Sequence, residues 1–438
     1  MRHPAVHIEP AQGKLGILLV GLGSVSTTFI AGVLAIRQGL AAPVGSLTQL
    51  GILPSERASP DHPAFIRDLL PLAQLQDLVF GAWDIFEEDA YAAARTAAVL
   101  DSSMLDKLRV PLMAIRPMKA VFDERWVRRL KPVHLKTSRN AREHVEQLRA
   151  DIQSFRASSR AQRLVMMWCG STEAFALPGE AHQSTAAFER ALDANDATIS
   201  PSMLYAYAAL AESVPFVNAA PNLTVDIPAL CELAMERQVP LAGKDLKTGQ
   251  TLLKTIVAPA LKARLLGVSG WYSTNILGNR DGLVLEDPEN FHTKEVSKVG
   301  VLDSILQPGM HPALYGDICH RVHINYYPPR GDNKEGWDNI DLFGWMNYPM
   351  QLKINFLCRD SILAAPLVLD LALLTDLASR AHCSGIQEWL SFYFKSPMHA
   401  PGAHVEHDLF LQLQKLHNML IYLRGDEPVR HARAEHYV

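Results

Sequence analysis

A chain of 438 residues exceeds the size at which one hydrophobic core usually stops growing, so two domains, or one domain with a large insertion, are predicted. Its 42 basic and 46 acidic residues are spread along the chain and leave a formal charge of −4, which excludes the basic footprint of a nucleic-acid binder or of a protein held to an anionic membrane. The five cysteines, Cys169, Cys231, Cys319, Cys358 and Cys383, have no CxxC spacing, which argues against a disulfide framework and a zinc site and reads as reduced, mostly buried thiols.

At the start, Met1–His7 lacks the apolar stretch of a signal peptide. The most apolar later run, Ile362 to Leu374, is broken by Asp370 and is too short to span a bilayer, so a soluble, cytoplasmic protein is expected. Lys14 to Val20 has strand length and is followed by Gly21-Leu22-Gly23 and by a helical pattern from Ser24 to Ile36, the beginning of a βα unit. Apolar runs at Leu78 to Trp83, Leu164 to Cys169, Val214 to Ala219 and Val239 to Ala242 alternate with helical stretches at Tyr91 to Leu100, Ala141 to Phe155 and Ile227 to Arg237. That rhythm predicts an α/β domain of Rossmann type, a doubly wound and mostly parallel sheet covered on both faces.

Beyond about residue 245 the rhythm changes. A helix over Thr248 to Leu265 leads into the polar run Asn275 to Gly282, then strand-like runs follow at Arg321 to Tyr327, Ile340 to Met346 and Leu352 to Leu357. This predicts a smaller α+β domain with an antiparallel sheet, interrupting the first. Helices over Ile362 to Ala378, Ile386 to Phe394 and Leu409 to Leu423 are expected to pack back on the first domain, giving an organisation of 1–245, 246–360 and 361–438, with disorder expected only at the two ends.

Gly21-Leu22-Gly23-Ser24 after a strand suits a dinucleotide pyrophosphate, because bare backbone lets phosphate approach the amides of a helix N-terminus. Ser26 stands where the third glycine of the usual fingerprint would be, and a tight strand-to-helix turn is an equal reading. No acid ends the expected second strand at Val44 to Gln49; Asp84, directly after Leu78 to Trp83, is the candidate for the adenine ribose and favours NAD over NADP.

Gly243 to Thr251 enters a long helix, where amides and small polar side chains can receive phosphate or ribose. Lys294 and Lys298 share one helical face at i,i+4, a pattern more common on a solvated surface. The Asn275 to Gly282 run reads alone as a surface turn, Gly331-Asp332-Asn333-Lys334 as a turn, Asp360 equally as an N-cap, and Lys395 as a lysine at a helix end before Pro397. The aspartates and asparagines have no distinctive metal-ligand spacing, so a cation requirement stays open.

An ordered series of short strings nonetheless resembles the inositol-3-phosphate synthase (myo-inositol-1-phosphate synthase) family: Gly21-Leu22-Gly23, Gly45 to Gln49, Trp83-Asp84-Ile85, Trp168 to Glu173, Ser200-Pro201-Ser202, Val214 to Asn218, Gly243 to Thr251, Asn275 to Gly282, Thr293 to Lys298, Gly331 to Lys334, Arg359 to Asp370 and Phe394 to Pro397. The resemblance runs from about residue 14 to 397. It implies a Rossmann-type domain interrupted by a catalytic and oligomerisation domain, a tetramer, tightly bound NAD, and conversion of glucose 6-phosphate into inositol phosphate. Family catalytic positions fall on Lys294, Lys298, Lys334, Lys395, Asp245, Asp360 and Asn275. Family cofactor contacts fall on Gly21, Leu22, Gly23, Ser24, Asp84, Cys169, Gly170, Ser171, Thr172, Asp245, Thr248, Asn279, Asp281, Gly331, Asp332, Asp360 and Ser361.

Three stretches depart from the family pattern: Ser24 to Thr27 is shorter and lacks asparagines, Cys169 to Thr172 replaces Thr-Ala-Asn-Thr, and Lys244 stands where aspartate is common. The implied chemistry is oxidation at C5, which acidifies C6, enolisation, attack on C1 and return of the hydride. Lys294 is the expected proton acceptor and donor at the C5 oxygen, Lys334 and Lys395 the oxyanion stabilisers, and Lys298 the phosphate holder or relay, with Asp245 and Asp360 orienting them. An NAD-dependent sugar-phosphate dehydrogenase with net NADH production and a non-catalytic NAD-binding regulator are the alternatives, the second disfavoured by so many lysines.

Overall fold

The computed structural model describes residues 6–53, 64–400, 402–403 and 405–426; the expectation of disorder at the two ends falls largely outside the described residues. Seven strands form one sheet: β1 (Lys14–Val20), β2 (Leu78–Asp84), β3 (Met118–Lys119), β4 (Ala161–Trp168), β5 (Phe216–Asn218), β6 (Pro240–Gly243) and, late in the chain, β11 (Gly385–Ile386). Their order is β11-β6-β5-β4-β1-β2-β3, and every pairing is parallel. From β1 the chain winds outward through β2 and β3, then returns to β4 on the other side. The reversal between β1 and β4 opens a crevice beyond their carboxyl ends, where doubly wound sheets bind ligands.

β1 and β4 are buried along nearly their whole length, as continuous apolar runs in a two-sided sheet should be. The helix Asp360–Arg380 packs across the helix Ser24–Arg37 on one face of this sheet. It is 21 residues long and apolar enough to cross a membrane by length alone, longer than the run Ile362 to Leu374 suggested, but it is largely buried inside the protein. Leu371, Leu373, Leu374 and Leu377 are fully buried, each contributing about 1.5–3 kcal/mol.

Val44 to Gln49 is not the second strand. Leu47–Leu50 forms one helical turn because the buried Asp370 carboxylate takes hydrogen bonds from the amides of Leu47 (2.7 Å) and Thr48 (3.0 Å) and from the hydroxyls of Ser46 and Thr48 (each 2.6 Å). The second strand is β2, so Asp84 occupies the strand end that an adenine-ribose carboxylate requires. Asp370→Ala would leave those donors unsatisfied in the core and is expected to cost about 2 kcal/mol. Urea unfolding with an unchanged m value checks this; a loss below about 0.5 kcal/mol would show the anchor to be dispensable.

The second sheet contains β7 (Gly267–Leu277), β8 (Cys319–Tyr326), β9 (Asn333–Phe343) and β10 (Pro349–Arg359) in the order β10-β9-β7-β8. It is mixed rather than antiparallel: β7 pairs β9 antiparallel but β8 parallel. The helix Pro288–Leu306 lies between β7 and β8 in the chain, and such a crossover is what a parallel neighbour needs. Ile386 to Phe394 is not a regular helix either; it holds the end of β11 and a 3₁₀ segment Glu388–Tyr393, after which Phe394 bridges Leu246.

Candidate active site

The site lies beyond the carboxyl ends of β1 and β4, where a cavity of about 450 Å³ is walled by both sheets. Gly21 turns the chain at φ +94°, and a Cβ there would lie 2.8 Å from the Gly170 Cα, so the loops after β1 and β4 approach as only glycine permits. A Cβ on Gly23 would meet no protein atom within 4 Å. The helix Ser24–Arg37 that follows has no side-chain cap and no acid in its first turn, leaving its leading amides unclaimed. Such a bare cradle of donors suits a pyrophosphate.

Ser26 in place of the third glycine is buried, and its hydroxyl donates to the Gly21 carbonyl at 2.6 Å, tying the loop back on itself. Asp84 accepts from the amides of Leu22 (2.5 Å) and Phe86 (2.9 Å). Burial raises its carboxyl, and those two amides oppose the rise. Gly21, Leu22, Gly23, Ser24, Asp84, Cys169, Gly170, Ser171, Thr172, Asp245, Thr248, Asn279, Asp281, Gly331, Asp360 and Ser361 all line the cavity. Asp332 lies behind it, accepting from Asn279 Nδ2 (3.0 Å) and Ser361 Oγ (2.8 Å) and so fixing two of the lining residues. Burial pushes the Cys169 thiol up to about 12, so it stands as a neutral wall. Lys244 turns away to pair with Asp226 at 2.6 Å, so its difference from the family pattern falls outside the cavity lining.

The lysines converge. Lys294 and Ser297 on the helix Pro288–Leu306 both reach Asp245, Lys294 Nζ at 3.0 Å and Ser297 Oγ at 2.8 Å. Lys395 reaches the same Oδ1 at 3.2 Å, and its backbone N–H donates to the Asp245 carbonyl at 2.7 Å. Lys395 lies in the bend just after the 3₁₀ segment Glu388–Tyr393, and that bend is held against Asp245. Asp245 itself has φ +62°, a conformation that aspartate tolerates better than most residues.

Lys334 is not in a turn. It is the second residue of β9, and the alternation along that strand puts Lys334, Asp338 and Ile340 on the buried face of the sheet. The same alternation on β7 buries Trp271, Ser273 and Asn275, so Asn275 lies within a strand, two residues before its end, rather than opening a surface turn. Asn275 Nδ2 donates to Gln250 Oε1 at 2.8 Å, while its Oδ1 has no partner. Because β10 ends beside the start of β9, Asp360, the first residue of its helix rather than the N-cap, meets Lys334 at 3.3 Å. Its Oδ1 accepts nothing from the protein.

Lys298 is buried one turn beyond Lys294 with no hydrogen bond or ion pair among the described residues. Burial would lower Lys294, but Asp245, with Asp281 and Asp360, holds it above the ordinary lysine range. Lys334 is likewise raised, burial being outweighed by Asp360. Burial lowers Lys395 to about 8, with Asp245 opposing and Lys294 and Lys334 reinforcing. Burial and the positive charges of Lys334, Lys395, Lys294 and Lys254 carry Lys298 well below its ordinary value. Against burial, Lys294 and Lys395 hold Asp245 well below the carboxylate range, as Lys334 and Lys395 hold Asp360. Two amines are thus fixed as ammonium and two are poised to exchange protons.

Ser297 and Gln250 are site-building residues that the sequence reading missed, although Ser297 shares the helical face of Lys294 and Lys298. Glu173 is likewise buried at the cavity wall against Ser202, and burial raises its carboxyl to about 7. Among the described residues, no group of three or more His, Cys, Asp or Glu side chains is placed to hold a metal ion.

A Rossmann-type dinucleotide cleft closed by a buried set of amines and carboxylates defines a nucleotide-dependent enzyme of proton-transfer chemistry. A family model described as "Myo-inositol-1-phosphate synthase" matches residues 15–421, and the chain belongs to that family. It is 55% identical to inositol-3-phosphate synthase 1 of Bacteroides thetaiotaomicron over 96% of this chain and 98% of that one. It is 33% identical to inositol-3-phosphate synthase 1 of Homo sapiens, over 97% of this chain and 80% of the human one. The crystal structure of inositol-3-phosphate synthase from Caenorhabditis elegans superposes with a TM-score of 0.89 at 26% identity, covering 98% of this chain and 90% of that one.

Proposed function

We propose that the protein cyclises D-glucose 6-phosphate to 1D-myo-inositol 3-phosphate as an isomerase with NAD as its cofactor. The convergence of Lys294 and Lys395 on Asp245, and of Lys334 on Asp360, beside a glycine-lined dinucleotide crevice carries this reading. Membership of the family and close identity to named inositol-3-phosphate synthases support it over a simple sugar-phosphate dehydrogenase. Gly21 to Ser24 would hold the pyrophosphate, and Asp84 at the end of β2 supports NAD rather than a cofactor carrying a 2′-phosphate.

NAD, when bound, supplies the hydride acceptor for C5 and returns the hydride within the same turnover. The chain's own part is to move protons and steady oxyanions in a site from which water is largely excluded. Lys294 and Lys334, each held as ammonium by a carboxylate, can donate hydrogen bonds to the C5 and C1 oxygens as negative charge develops there. The proton acceptor needs a free amine, and the electrostatics favour Lys298 for that duty rather than Lys294, with Lys395 between the two. Thr248 to Thr251, opening the helix Gly249–Ala263, supports a place for the substrate phosphate at a helix N-terminus. Exposed Tyr272, Trp337, Met350 and Leu357 on the second sheet support a homo-oligomer, with the tetramer as our reading, and a cytoplasmic location fits the sequence.

Incubation of the purified protein with glucose 6-phosphate and a catalytic amount of NAD is expected to yield inositol phosphate without net NADH. Accumulation of NADH together with an oxidised sugar phosphate would instead establish the dehydrogenase.

A further inference from the structure

The helix Pro288–Leu306 buries a polar stretch, Asn290, Thr293, Lys294, Ser297 and Lys298, on one face. Lys294, Ser297 and Lys298 belong to the amine cluster, whereas Asn290 and Thr293 turn to backbone carbonyls of the nucleotide-binding part. Asn290 Nδ2 donates to the Trp126 carbonyl at 2.9 Å and to the Thr172 carbonyl at 2.7 Å. Thr293 Oγ1 donates to the Glu173 carbonyl at 3.0 Å. The carbonyl one turn back on its own helix, Glu289, which a helical threonine commonly takes, is farther away at 3.3 Å. Hydrogen bonds of this kind add little net stability, but their narrow directions fix a geometry.

The carbonyls they meet are themselves held. The Glu173 amide donates to Asn222 Oδ1 at 2.9 Å, and its carboxylate takes the Ser202 amide (2.8 Å) and hydroxyl (2.6 Å) at the start of the helix Pro201–Ala211. The Ala174 amide donates to the same Trp126 carbonyl at 2.8 Å, and the Phe175 amide to the Glu289 carbonyl at 3.2 Å. The chain after β4 is therefore pinned to the first sheet's helices on one side and to the lysine helix on the other. Residues 169–173 of it line the cavity, as does Lys294, the residue after Thr293.

Strand order decides which end of a dinucleotide meets that loop. Asp84, the ribose acid, ends β2 on one side of β1, while the loop after β4 lies on the other side, toward β5, β6 and Asp245. With the pyrophosphate at residues 21–24, the nicotinamide end falls over the β4 loop. Oxidation at C5 breaks its C–H bond toward the hydride acceptor and its O–H bond toward a free amine, leaving a ketone. Both departures start from one carbon, so the loop and the lysine helix must keep one separation.

We propose that Asn290 and Thr293 are positioning residues that set the distance between the lysine helix and loop 169–173, and with it the geometry in which C5 gives up hydride and proton. This rests on the synthase reading above. Neither side chain touches the sugar; they act through the loop and through the lysines of their own helix.

One hydroxyl tests it. T293V keeps the shape of the side chain and removes the donor, while T293S keeps the donor. In protein free of NAD, amide hydrogen exchange at Glu173 and Ala174 is expected to run about tenfold faster in T293V and near the wild-type rate in T293S. Turnover of glucose 6-phosphate is expected to fall about tenfold in T293V, with KM changing less than kcat, because small displacements of reacting groups are costly. The isotope effect from substrate deuterated at C5 should be at least as large in T293V as in wild type, since the lost rate lies in the oxidation step. T293S should restore kcat and exchange, and N290L should repeat T293V; if N290L does not fold, the two Thr293 variants give the comparison alone. Exchange or kcat in folded T293V within about twofold of wild type, or an isotope effect that shrinks as kcat falls, overturns the proposal. Hydride transfer and exchange are read without ring closure. NADH accumulating without inositol phosphate in wild type would therefore defeat the synthase reading, while the same readouts still decide this role.

Discussion

Replacing Asp245 with asparagine is expected to lower turnover by about 10³-fold or more, the scale on which a lost electrostatic stabiliser in a water-poor site is felt. The reason is its double service. One carboxylate oxygen neutralises both Lys294 and Lys395, and the other receives Ser297. An amide in its place takes from Lys294 its direct counter-charge, so Lys294 holds its proton less firmly and is a weaker oxyanion donor, and it removes the charge that opposes the lowering of Lys395. The loss of a buried partner is expected to cost about 3–5 kcal/mol of stability as well.

The pH dependence has a definite sign. Because the Asp245 carboxyl is held below its unfolded value near ~3.9, its stabilisation is fully present above that pH and is lost as pH falls through the folded value. Lys294 is raised, so its contribution is present below its unfolded value near ~10.4 and fades only as pH climbs through the folded one. D245N should therefore flatten the acid side of the stability profile. Turnover measured by inositol phosphate release, with urea unfolding across pH, checks both halves. A variant within tenfold of wild type would show that the shared carboxylate does not organise the amines.

Gly21→Ala is expected to weaken NADH binding by about 100-fold. A side chain at φ +94° carries backbone strain, and the new Cβ would press on the Gly170 Cα at 2.8 Å and the Gly170 nitrogen at 3.0 Å, which are backbone atoms and cannot swing aside. A strain of about 3 kcal/mol converts to that factor if the loops part to relieve it. Fluorescence titration with NADH measures the change, and thermal unfolding shows whether the fold survives it. Gly23 gives a contrast, since a Cβ there meets open space and leaves the backbone unstrained. Unchanged NADH affinity in G21A would mean that the two loops do not form the nucleotide wall.

Local order was readable from the chain wherever one segment alone determined it. The strand Lys14–Val20, its GxG turn and the following helix are written in a short apolar run, two small residues and a helical period, and the helix Leu409–Leu423 was legible to the residue. The i,i+4 spacing of Lys294 and Lys298 by itself puts both on one helical face. Those signals depend on neighbours in sequence, which is what periodicity measures.

Other assignments failed for the opposite reason. Lys334 looked like a turn residue because Gly331 and Asp332 precede it, yet the strand begins at Asn333 and its alternation turns Lys334 inward. Leu47–Leu50 became a helical turn because of a carboxylate more than 300 residues away. The parallel pairing of β7 with β8 follows from a crossover helix whose packing no local pattern encodes.

By itself, then, the sequence determined the doubly wound half of the fold, the glycine turn for a nucleotide and, through its ordered resemblance, the family's set of lysines and aspartates. Only the tertiary structure decided that Lys294 and Lys395 share Asp245, that Lys334 answers Asp360, and that Lys298 has no ion-pair partner among the described residues. The division is physical. Backbone periodicity is short-ranged and can be read along a chain, whereas the protonation state of a buried amine depends on desolvation and on charges brought near by distant strands and helices.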